Sequence, residues 1–548
     1  MKFLLLALIP AIFASQWLFG ARFIPTHDGE YHIIRFWQFY KMLSQGYVFP
    51  RWAPDLNSGY GLPLFLFHYP FPNYIGSLFH ALGATFVDTV KLTLALGYLI
   101  AIVWCFLWLR KVFGNIPALI GTIICSMVPY WFLDIYVRGS VGEVWALSFV
   151  LLTLAALEYG VSFGVAIGIA GIIVSHNITA LIFIPIIFLY AWYRKRGNIL
   201  AIATGIGLAT YFWLPALVES RFMVGLNSVS YADHFPDLFQ LLFPSWGTGF
   251  SGVGITADEM SYQIGIVPLL VLCISFFMAM RKKVLRAIIF PVLCVTAIAI
   301  FGMTEYSLPL WRYVPLMGNI QYPWRLLMVT TIATGYLGAL LTAVTPRWIM
   351  VGFTVLAFIA SFSYMKPVTY EKRDDAHYLS RREFTDGTSS LGNSFSTIWT
   401  EWKKERFSTR FQASTGDAII NLYKETPLSY EMTINAKTEI TVSAQILYFP
   451  GWKAYVDGKE TTISYQTDGI IHVNMPVGEH ELRIKFTETP LQLFADGISL
   501  LSLFSLLAFG ILKGTHAYRN KFSTPFKRPQ NTGSGRIYPR THQRTQKK

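Results

Sequence analysis

Apolar runs of nearly membrane-spanning length recur along the whole sequence. A helix needs about 20 such residues to cross the hydrocarbon core of a bilayer. The sequence predicts a polytopic α-helical membrane protein with about twelve spans, at residues 3–19, 88–109, 116–133, 144–159, 161–175, 178–193, 199–218, 262–280, 286–302, 325–344, 347–364 and 493–512. Only 14% of the residues are charged, which fits this class. No small-residue cleavage site follows the first run, so we expect an uncleaved span.

Basic residues fall in alternate short loops and predict the orientation. They lie on the side of the N-terminus, at Arg110, Lys111, Arg194, Lys195, Arg196, Arg281, Lys282, Lys283, Arg286 and Arg347. By the positive-inside rule that side is the cytoplasm. Residues 513–548 carry ten Lys and Arg and no Asp or Glu, which predicts a basic, disordered cytoplasmic tail. Next to a span, these charges favour anionic lipid over nucleic acid as the partner.

The remaining polar loops then face outward. The longest is the first loop, residues 20–87. Within it, Ile33, Phe36, Trp37, Tyr40 and Leu43 form a helical stripe, which predicts a helix lying in the membrane interface. The stretch that follows is rich in Pro, Gly and aromatic residues and predicts an ordered, irregular loop.

Residues 365–490 change in character and predict a β-sandwich or jelly-roll-like domain. "YEMTINAKTEITVSAQILYFP" and "IIHVNMPVGEHELRIKF" alternate as half-buried strands do. Asp457-Gly458 predicts a two-residue hairpin turn, and Pro476-Val477-Gly478 a second turn. Such a domain cannot lie in lipid. We therefore expect a membrane domain over 1–364, an extracytoplasmic β-rich domain over 365–490 and a last span over 491–512, with both termini cytoplasmic.

Ionisable residues cluster in the outward loops. Asp28 and His32 are four residues apart and would share one face of a helix. Three other loops carry Arg138 with Glu143, His176 with Asn177, and Gln321 with Arg325. Each residue has a structural alternative: a helix cap for Asp28, snorkelling to headgroups for the arginines, and a satisfied turn for His176. Such groups cost about 2.5–3.5 kcal/mol each near a helix centre, so their joint presence on one membrane face favours a site.

The residue types indicate a reaction class. No nucleotide-binding loop, dinucleotide fingerprint, zinc-protease motif or nucleophile-elbow serine is visible. A carboxylate base that faces cationic groups near lipid suits the transfer of a sugar from a lipid-phosphate donor. The carboxylate would take the proton of the acceptor hydroxyl, and Arg would bind two oxygens of the departing phosphate.

Several motifs together resemble known membrane proteins. "HDGEYHIIRFWQFYKMLSQGYVFPRW", "VRGSVGE", "SHN" and "QYPWR" are similar to the bacterial 6-pyruvoyl-tetrahydropterin synthase-related membrane proteins, and "YFPGWKAYVDGKE" is similar to the YfhO-like proteins. Both groups resemble the GT-C superfamily of glycosyltransferases, which use polyprenyl-phosphate sugars and a catalytic acid in the first outer loop. The resemblance implies that Asp28 is that acid. The substrate-binding residues would then be Glu30, His32, Arg51, Arg138, Glu143, His176, Asn177, Gln321 and Arg325.

Metal use and two other functions stay open. Asp28, Glu30, His32 and His176 could supply ligands to a divalent cation, but their spacing is not diagnostic. The cofactor is therefore unknown. The alternatives are a transporter or flippase for a lipid-linked glycan, and a non-catalytic scaffold for the assembly of a surface polymer. We expect the donor to be a polyprenyl-phosphate sugar and the acceptor a cell-surface glycan, lipid or protein.

Overall fold

A computed structural model describes residues 1–20, 22–225, 230–249, 259–390, 394–400 and 405–522, with side chains up to residue 510. The helices in chain order are α1 (Lys2–Ser15), α2 (Gly29–Ser44), α3 (Leu64–Phe67), α4 (Phe71–Ala81), α5 (Phe86–Phe113), α6 (Asn115–Ser126), α7 (Pro129–Phe132), α8 (Val141–Tyr159), α9 (Ser162–Ser175), α10 (Asn177–Tyr193), α11 (Ile199–Leu208), α12 (Thr210–Glu219), α13 (Leu238–Leu242), α14 (Ile266–Arg281), α15 (Lys283–Gly302), α16 (Leu308–Tyr313), α17 (Leu327–Val344), α18 (Arg347–Ser361), α19 (Asp375–Leu379), α20 (Arg382–Thr385) and α21 (Pro490–Phe522).

Among the described residues, seven helices are long and apolar enough to cross a membrane. The number rises to nine if two bent pairs each count as one span: Asn115–Ser126 with Pro129–Arg138, bent by 49°, and Ile199–Leu208 with Thr210–Phe222, bent by 65°. Three shorter apolar helices, α9, α10 and α14, accompany them. Each predicted apolar run falls on one of these elements, so the apolar helical domain is confirmed. The count of twelve spans stays a prediction.

Two central helices carry charged residues in their first turns. Buried positions make up 89% of the apolar stretch of Val141–Tyr159 and likewise of Pro323–Val344. In contrast, 11% of Pro490–Gly510 is buried. Helix α8 packs against α5 and α9, and α17 packs against α6. Glu143 and Arg325 each lie near the start of these buried helices, which places charge at the ends of the bundle core.

The helix predicted in the first loop exists, and part of its apolar stripe packs against other helices. Helix α2 packs against α4 and α5. Ile33 and Phe36 have no exposed surface, and the residues on the other faces of the helix, such as Arg35 and Gln38, are buried as well. Because Trp37, Tyr40 and Leu43 of the stripe keep some exposed surface, the position of this helix in a membrane interface stays a prediction. Later segments of the chain, which periodicity alone does not reveal, cover the second face.

In the described part of the chain, eight antiparallel strands form two sheets. They are β1 (Phe411–Thr415), β2 (Ala418–Thr426), β3 (Ser429–Ala436), β4 (Ile440–Leu447), β5 (Trp452–Val456), β6 (Lys459–Thr461), β7 (Ile470–Met475) and β8 (Gly478–Phe486). One sheet has the order β1-β4-β7 and the other β2-β3-β8-β5-β6. Both predicted turns are present: Asp457 and Gly458 have positive φ between β5 and β6, and residues 476–477 join β7 to β8.

The boundaries of the last domains differ from those expected. Strands begin at Phe411 and not near residue 365, because the described part of 365–410 holds only the short helices α19 and α20 and irregular chain. This stretch packs along the first loop. Phe23 pairs with Glu371, and the Asn57 amide donates to the Gly387 carbonyl over 2.9 Å. Helix α21 continues to Phe522, past the expected start of the tail at 513. The rest of the predicted tail, 523–548, lies outside the described residues.

The β-domain rests on the first loop. The rings of Trp52 and Trp452 are 5.4 Å apart, and the Leu447 amide donates to the Tyr60 carbonyl over 3.0 Å. The ring of Phe67 meets that of Phe449 at 6.0 Å. The first loop is thus held between the apolar helices and the sheets, which fixes the position of the residues it carries.

Candidate functional site

Asp28 is held by backbone hydrogen bonds, and its carboxylate has no partner among the residues that the structure describes. Its amide donates to the Arg138 carbonyl over 2.8 Å, and the His27 amide donates to the Val137 carbonyl over 3.0 Å. Asp28 occupies the N-cap position of α2, but its side chain makes no capping bond. Thr26 Oγ1 takes that role for the Gly29 amide. No described residue pairs with the Asp28 carboxylate, so capping does not account for this aspartate.

Gly139 makes this close approach feasible. It follows a π-helical turn, Leu133–Arg138, and has φ +67°. A Cβ atom at this position would lie 2.2 Å from Thr26 Oγ1 and 3.3 Å from the Gly29 amide nitrogen. Only a glycine can both adopt this positive φ and fit in a place without room for a Cβ atom. The motif "VRGSVGE" therefore contains a contact point for the first loop.

Arg138, whose carbonyl binds the Asp28 amide, belongs to a group of four buried charged side chains. Glu143 accepts from Arg138 Nη1 over 2.9 Å and from the Tyr130 hydroxyl, and its Oε2 is 3.9 Å from Arg325 Nε. Arg138 Nη1 also pairs with Asp134. Neither carboxylate has exposed surface. Because buried charges are tolerated when they are paired, the two arginines and two carboxylates form one balanced group.

Aromatic and polar neighbours orient both guanidinium groups. Arg138 lies over the Trp324 ring at 4.7 Å, and Arg325 lies over the Tyr322 ring at 4.9 Å. Arg325 Nη1 donates to the Ile320 carbonyl over 3.0 Å and to Gln321 Oε1 over 2.8 Å. Among the described residues, Nη2 of either arginine has no hydrogen-bond partner. Each guanidinium can therefore offer N–H donors to an anion, which suits a phosphate.

His176 lies beside this group in a fixed tautomer. Its Nδ1 accepts from the Thr179 amide over 3.3 Å and contacts Thr179 Oγ1 at 2.8 Å, as an N-cap of α10 does. The ring proton therefore resides on Nε2. Burial lowers the pKa of His176 to about 3, against the opposing attraction of Glu143. The residue is a neutral hydrogen-bond donor at physiological pH.

Two residues that the sequence reasoning missed extend the site. Arg35 donates from Nη1 to His68 Nε2 over 2.9 Å and from Nε to Ser389 Oγ over 3.1 Å. The rings of His32 and His68 are 5.9 Å apart, and burial lowers the pKa of both well below the usual value. Arg35 lies three residues after His32, so helical spacing could have indicated it. His68 lies in the aromatic-rich stretch that follows this helix, and no spacing signal marks it.

Three residues predicted to bind substrate lie elsewhere. Glu30 turns away from His32 and pairs with Arg373, because successive positions of a helix point to different sides. Arg51 donates to Gln492 Oε1 over 2.6 Å and to Asp496 Oδ2 over 2.8 Å, which fastens the first loop to α21. Asn177 is exposed at the start of α10. The structure gathers Asp28, His32, Arg138, Glu143, His176, Gln321 and Arg325 and leaves these three outside.

The described residues contain no group of three or more His, Cys, Asp or Glu side chains that could hold a metal ion. Of the four ligand candidates from the sequence, Glu30 is engaged by Arg373, and His176 Nδ1 is engaged by Thr179. Two of the four candidates are therefore occupied by other groups of the protein. The site therefore consists of carboxylate, arginine and histidine side chains.

Comparisons with known proteins give distant likenesses. No family model matches the chain. An uncharacterised protein of Lactococcus lactis subsp. cremoris is 23% identical over 261 residues, which cover 42% of each chain. An arabinofuranosyltransferase from Mycobacteria matches 67% of this chain and 27% of its own, with 14% identity and a TM-score of 0.44. The oligosaccharyltransferase of Archaeoglobus fulgidus, tethered to an acceptor peptide, matches 75% of this chain and 60% of its own, with 15% identity and a TM-score of 0.42.

This chain thus spans less than two thirds of the length of each of these proteins. The two solved structures are named for glycosyl transfer, which is the class of activity that the sequence motifs resemble. This chain has a distant similarity to an arabinofuranosyltransferase and to an oligosaccharyltransferase.

Proposed function

We propose that this protein is a membrane glycosyltransferase that moves a sugar from a polyprenyl-phosphate donor to an extracytoplasmic acceptor, with Asp28 as the general base. The observation that carries the proposal is the position of the Asp28 carboxylate, which no described residue pairs with. The Asp28 amide binds the carbonyl of Arg138, and the Arg138 side chain belongs to the buried charged group. A free carboxylate beside oriented cations matches what a base and a leaving phosphate require.

The proposed reaction uses three groups of the chain. The acceptor oxygen forms a bond to C1 of the sugar while its proton moves to the Asp28 carboxylate. The bond between C1 and the phosphate oxygen breaks, and its electron pair stays on the phosphate. Arg138 and Arg325 offer N–H donors to that growing charge. A positioned base such as Asp28 typically contributes about 10²–10⁴-fold in rate. Gln321 fixes one edge of Arg325 by its 2.8 Å bond.

The location of the charges favours this function over transport. A transporter needs charged groups near the middle of the membrane. Here Glu143 lies in the first turn of α8, and Arg325 lies in the short helical turn just before α17. A scaffold would have no use for an unpaired carboxylate beside buried arginines. These features support chemistry at one membrane surface.

The test is sugar transfer by the purified full chain in nanodiscs. Undecaprenyl-phosphate sugars are offered one at a time, and release of undecaprenyl phosphate is measured. We expect at least one donor to be consumed, and Asp28→Asn to lower that rate on the order of 10²-fold or more without loss of folded protein. Asp55→Asn is the matched control, because that carboxylate binds Lys41 in the same loop at 2.6 Å. Full transfer activity in Asp28→Asn would reject the assignment of Asp28 as the general base.

Orientation is tested separately. We propose that the β-domain and the site lie outside the cytoplasm and that both termini lie inside. In a variant without its four native cysteines, Tyr455→Cys in β5 should react with an impermeant maleimide in intact cells. Labelling only after lysis would overturn the proposed orientation while leaving the chemistry untouched.

A further inference from the structure

Tyr69 stands between two histidine rings at the candidate site. Its ring centroid is 4.0 Å from that of His68 and 5.6 Å from that of His176, which it meets edge to face. His68 is itself held by Arg35 over 2.9 Å, and His176 by Thr179. The tyrosine ring is therefore fixed by neighbours that are fixed in turn.

The hydroxyl end of the Tyr69 ring packs against Gly142 in the first turn of α8. A Cβ atom on Gly142 would lie 2.4 Å from Tyr69 Cζ, the carbon that bears the hydroxyl, and 2.6 Å from the Ser175 carbonyl oxygen. Glycine at position 142 thus gives the phenol ring its place. Arg138 and Arg325 of the buried charge group lie close enough to act on this phenol electrostatically.

Charged groups of both signs surround this hydroxyl. Asp28, Arg35, Arg138 and Arg325 all lie close enough to act on it electrostatically. No described residue forms a hydrogen bond with the hydroxyl. Burial is the main reason that the pKa of Tyr69 is raised, so the group keeps its proton at physiological pH. Among the described residues it is a hydrogen-bond donor without an acceptor, within electrostatic reach of the proposed base and of the two arginines.

We propose that Tyr69 is a further catalytic residue, whose hydroxyl donates a hydrogen bond to an oxygen of the departing polyprenyl phosphate. This inference rests on the proposed function. The acceptor proton still goes to Asp28, and the electron pair of the broken C1–O bond still goes to the phosphate. Tyr69 keeps its own proton and shares it with the phosphate oxygen. A donor aimed at charge that develops in the transition state lowers the barrier more than one that binds substrate alone.

Tyr69→Phe removes this donor and keeps the ring that stacks on His68 and His176. With the undecaprenyl-phosphate sugar that the wild type consumes, we expect kcat to fall on the order of 10²-fold. The thermal midpoint should stay at the wild-type value. Tyr74→Phe is the matched control: it also removes a hydroxyl from the first loop, but that hydroxyl donates to the Val48 carbonyl over 2.6 Å. We expect no change in kcat for the control.

A second measurement separates catalysis from positioning. If Tyr69 instead donated to Asp28, its loss would raise the pKa of the base and move the acid limb of the kcat profile to higher pH. Our proposal predicts a lower kcat at every pH, with the acid limb in place. A shifted limb with full activity restored at high pH would overturn it, and so would an unchanged kcat.

Binding of undecaprenyl phosphate provides a readout that does not need turnover. Tyr69→Phe should bind this product on the order of 10-fold more weakly than the wild type, because a hydrogen bond to a charged group is lost. Equal affinity would count against the proposal. The wild type itself reports on the wider hypothesis: failure to bind undecaprenyl phosphate or to consume any donor would reject the proposed function, whereas an active wild type with an active Tyr69→Phe rejects this inference alone.

Discussion

Arg138 binds Asp28 through its backbone and Glu143 through its side chain. Its carbonyl oxygen accepts the Asp28 amide over 2.8 Å, and its Nη1 donates to Glu143 Oε2 over 2.9 Å. One residue thus connects the loop that carries the proposed base to the buried helix α8. A shift of either element would move the carboxylate relative to the arginines, and positioning errors of about 1 Å can cost 10²-fold in rate. The π-helical turn that ends at Arg138 is the element that makes this double contact.

Gly139→Ala should separate the first loop from this turn. The new Cβ atom would lie 2.2 Å from Thr26 Oγ1, so the loop must move. Gly160→Ala is a matched control, because Gly160 has a similar φ of +71° but no other atom within 4 Å of the place that a Cβ would take. Both variants carry backbone strain of about 1–2 kcal/mol. We expect only Gly139→Ala to lose transfer activity, measured per folded molecule. Equal activity in the two variants would show that this contact does not position Asp28.

Glu143→Gln should remove the charge that balances Arg138 and Arg325. Breaking one side of a buried ion pair typically costs about 3–5 kcal/mol, so we expect a lower thermal midpoint and reduced transfer. Glu158→Gln is the control in the same helix, since Glu158 binds Arg194 and Arg196 at the other end of α8. It should lower stability and leave kcat per folded molecule intact. If both variants lose kcat alike, the effect of Glu143 is on folding and not on the site.

Arg325→Lys should weaken use of the donor. Lysine keeps the positive charge but loses the planar fork, and with it the Nη2 donor that no described residue engages. We expect the KM for the donor to rise on the order of 10-fold, in line with the loss of one charge-assisted hydrogen bond. Arg194→Lys, at the Glu158 cluster, is the control. Unchanged donor kinetics in Arg325→Lys would argue against contact with the phosphate.

Local patterns predicted the parts of the site that depend on neighbouring residues. The four-residue spacing of Asp28 and His32 predicts their shared helix face. The Asp457-Gly458 pair predicts a turn because these two residue types tolerate the positive φ angles that the turn requires. Apolar run length was enough to locate the long helices. These features are short-range, so the sequence carries them without knowledge of the tertiary structure.

Contacts between distant segments could not be predicted. Arg35 binds Ser389 across 354 residues, and Arg51 binds Asp496 across 445. The sequence marks each of these arginines only as a charge in a polar loop, and the partner decides whether it serves the site or the fold. The same reason applies to the polar side of α2, because Ser389 of the later chain contacts Arg35 there.

Acid should destabilise the protein through its buried histidines. The pKa of His32, His68 and His176 is lowered in the fold by burial, whereas an unfolded histidine titrates near 6.5. Below that pH the unfolded chain binds protons that the folded chain does not. Stability is therefore complete above pH 6.5 and falls as the pH drops toward about 3 for His176. Each histidine contributes about 1.4 kcal/mol per pH unit in this window.

The thermal midpoint between pH 7.5 and pH 5 measures this effect. His176→Asn keeps an oxygen that can cap α10 but cannot titrate, so its midpoint should fall less steeply than that of the wild type. His480 in the β-domain provides the opposite sign, because Asp457 raises its pKa and adds stability as the pH falls. A wild-type midpoint that is flat over this range would contradict the assignment of neutral buried histidines.

His32→Leu should separate function from stability. His32 has no exposed surface, and neither ring nitrogen has a hydrogen-bond partner among the described residues. An unpaired buried polar group costs about 1–3 kcal/mol, so an apolar residue of similar size should keep or raise the thermal midpoint. His32 lies one helical turn from Asp28 and beside His68, so we expect transfer to fall on the order of 10²-fold. His80→Leu is the control: it loses a 2.8 Å bond to the Ala84 carbonyl and should lower the midpoint while kcat stays unchanged. Proteins retain destabilising polar groups where activity needs them. A stable and fully active His32→Leu would place this histidine outside the reaction.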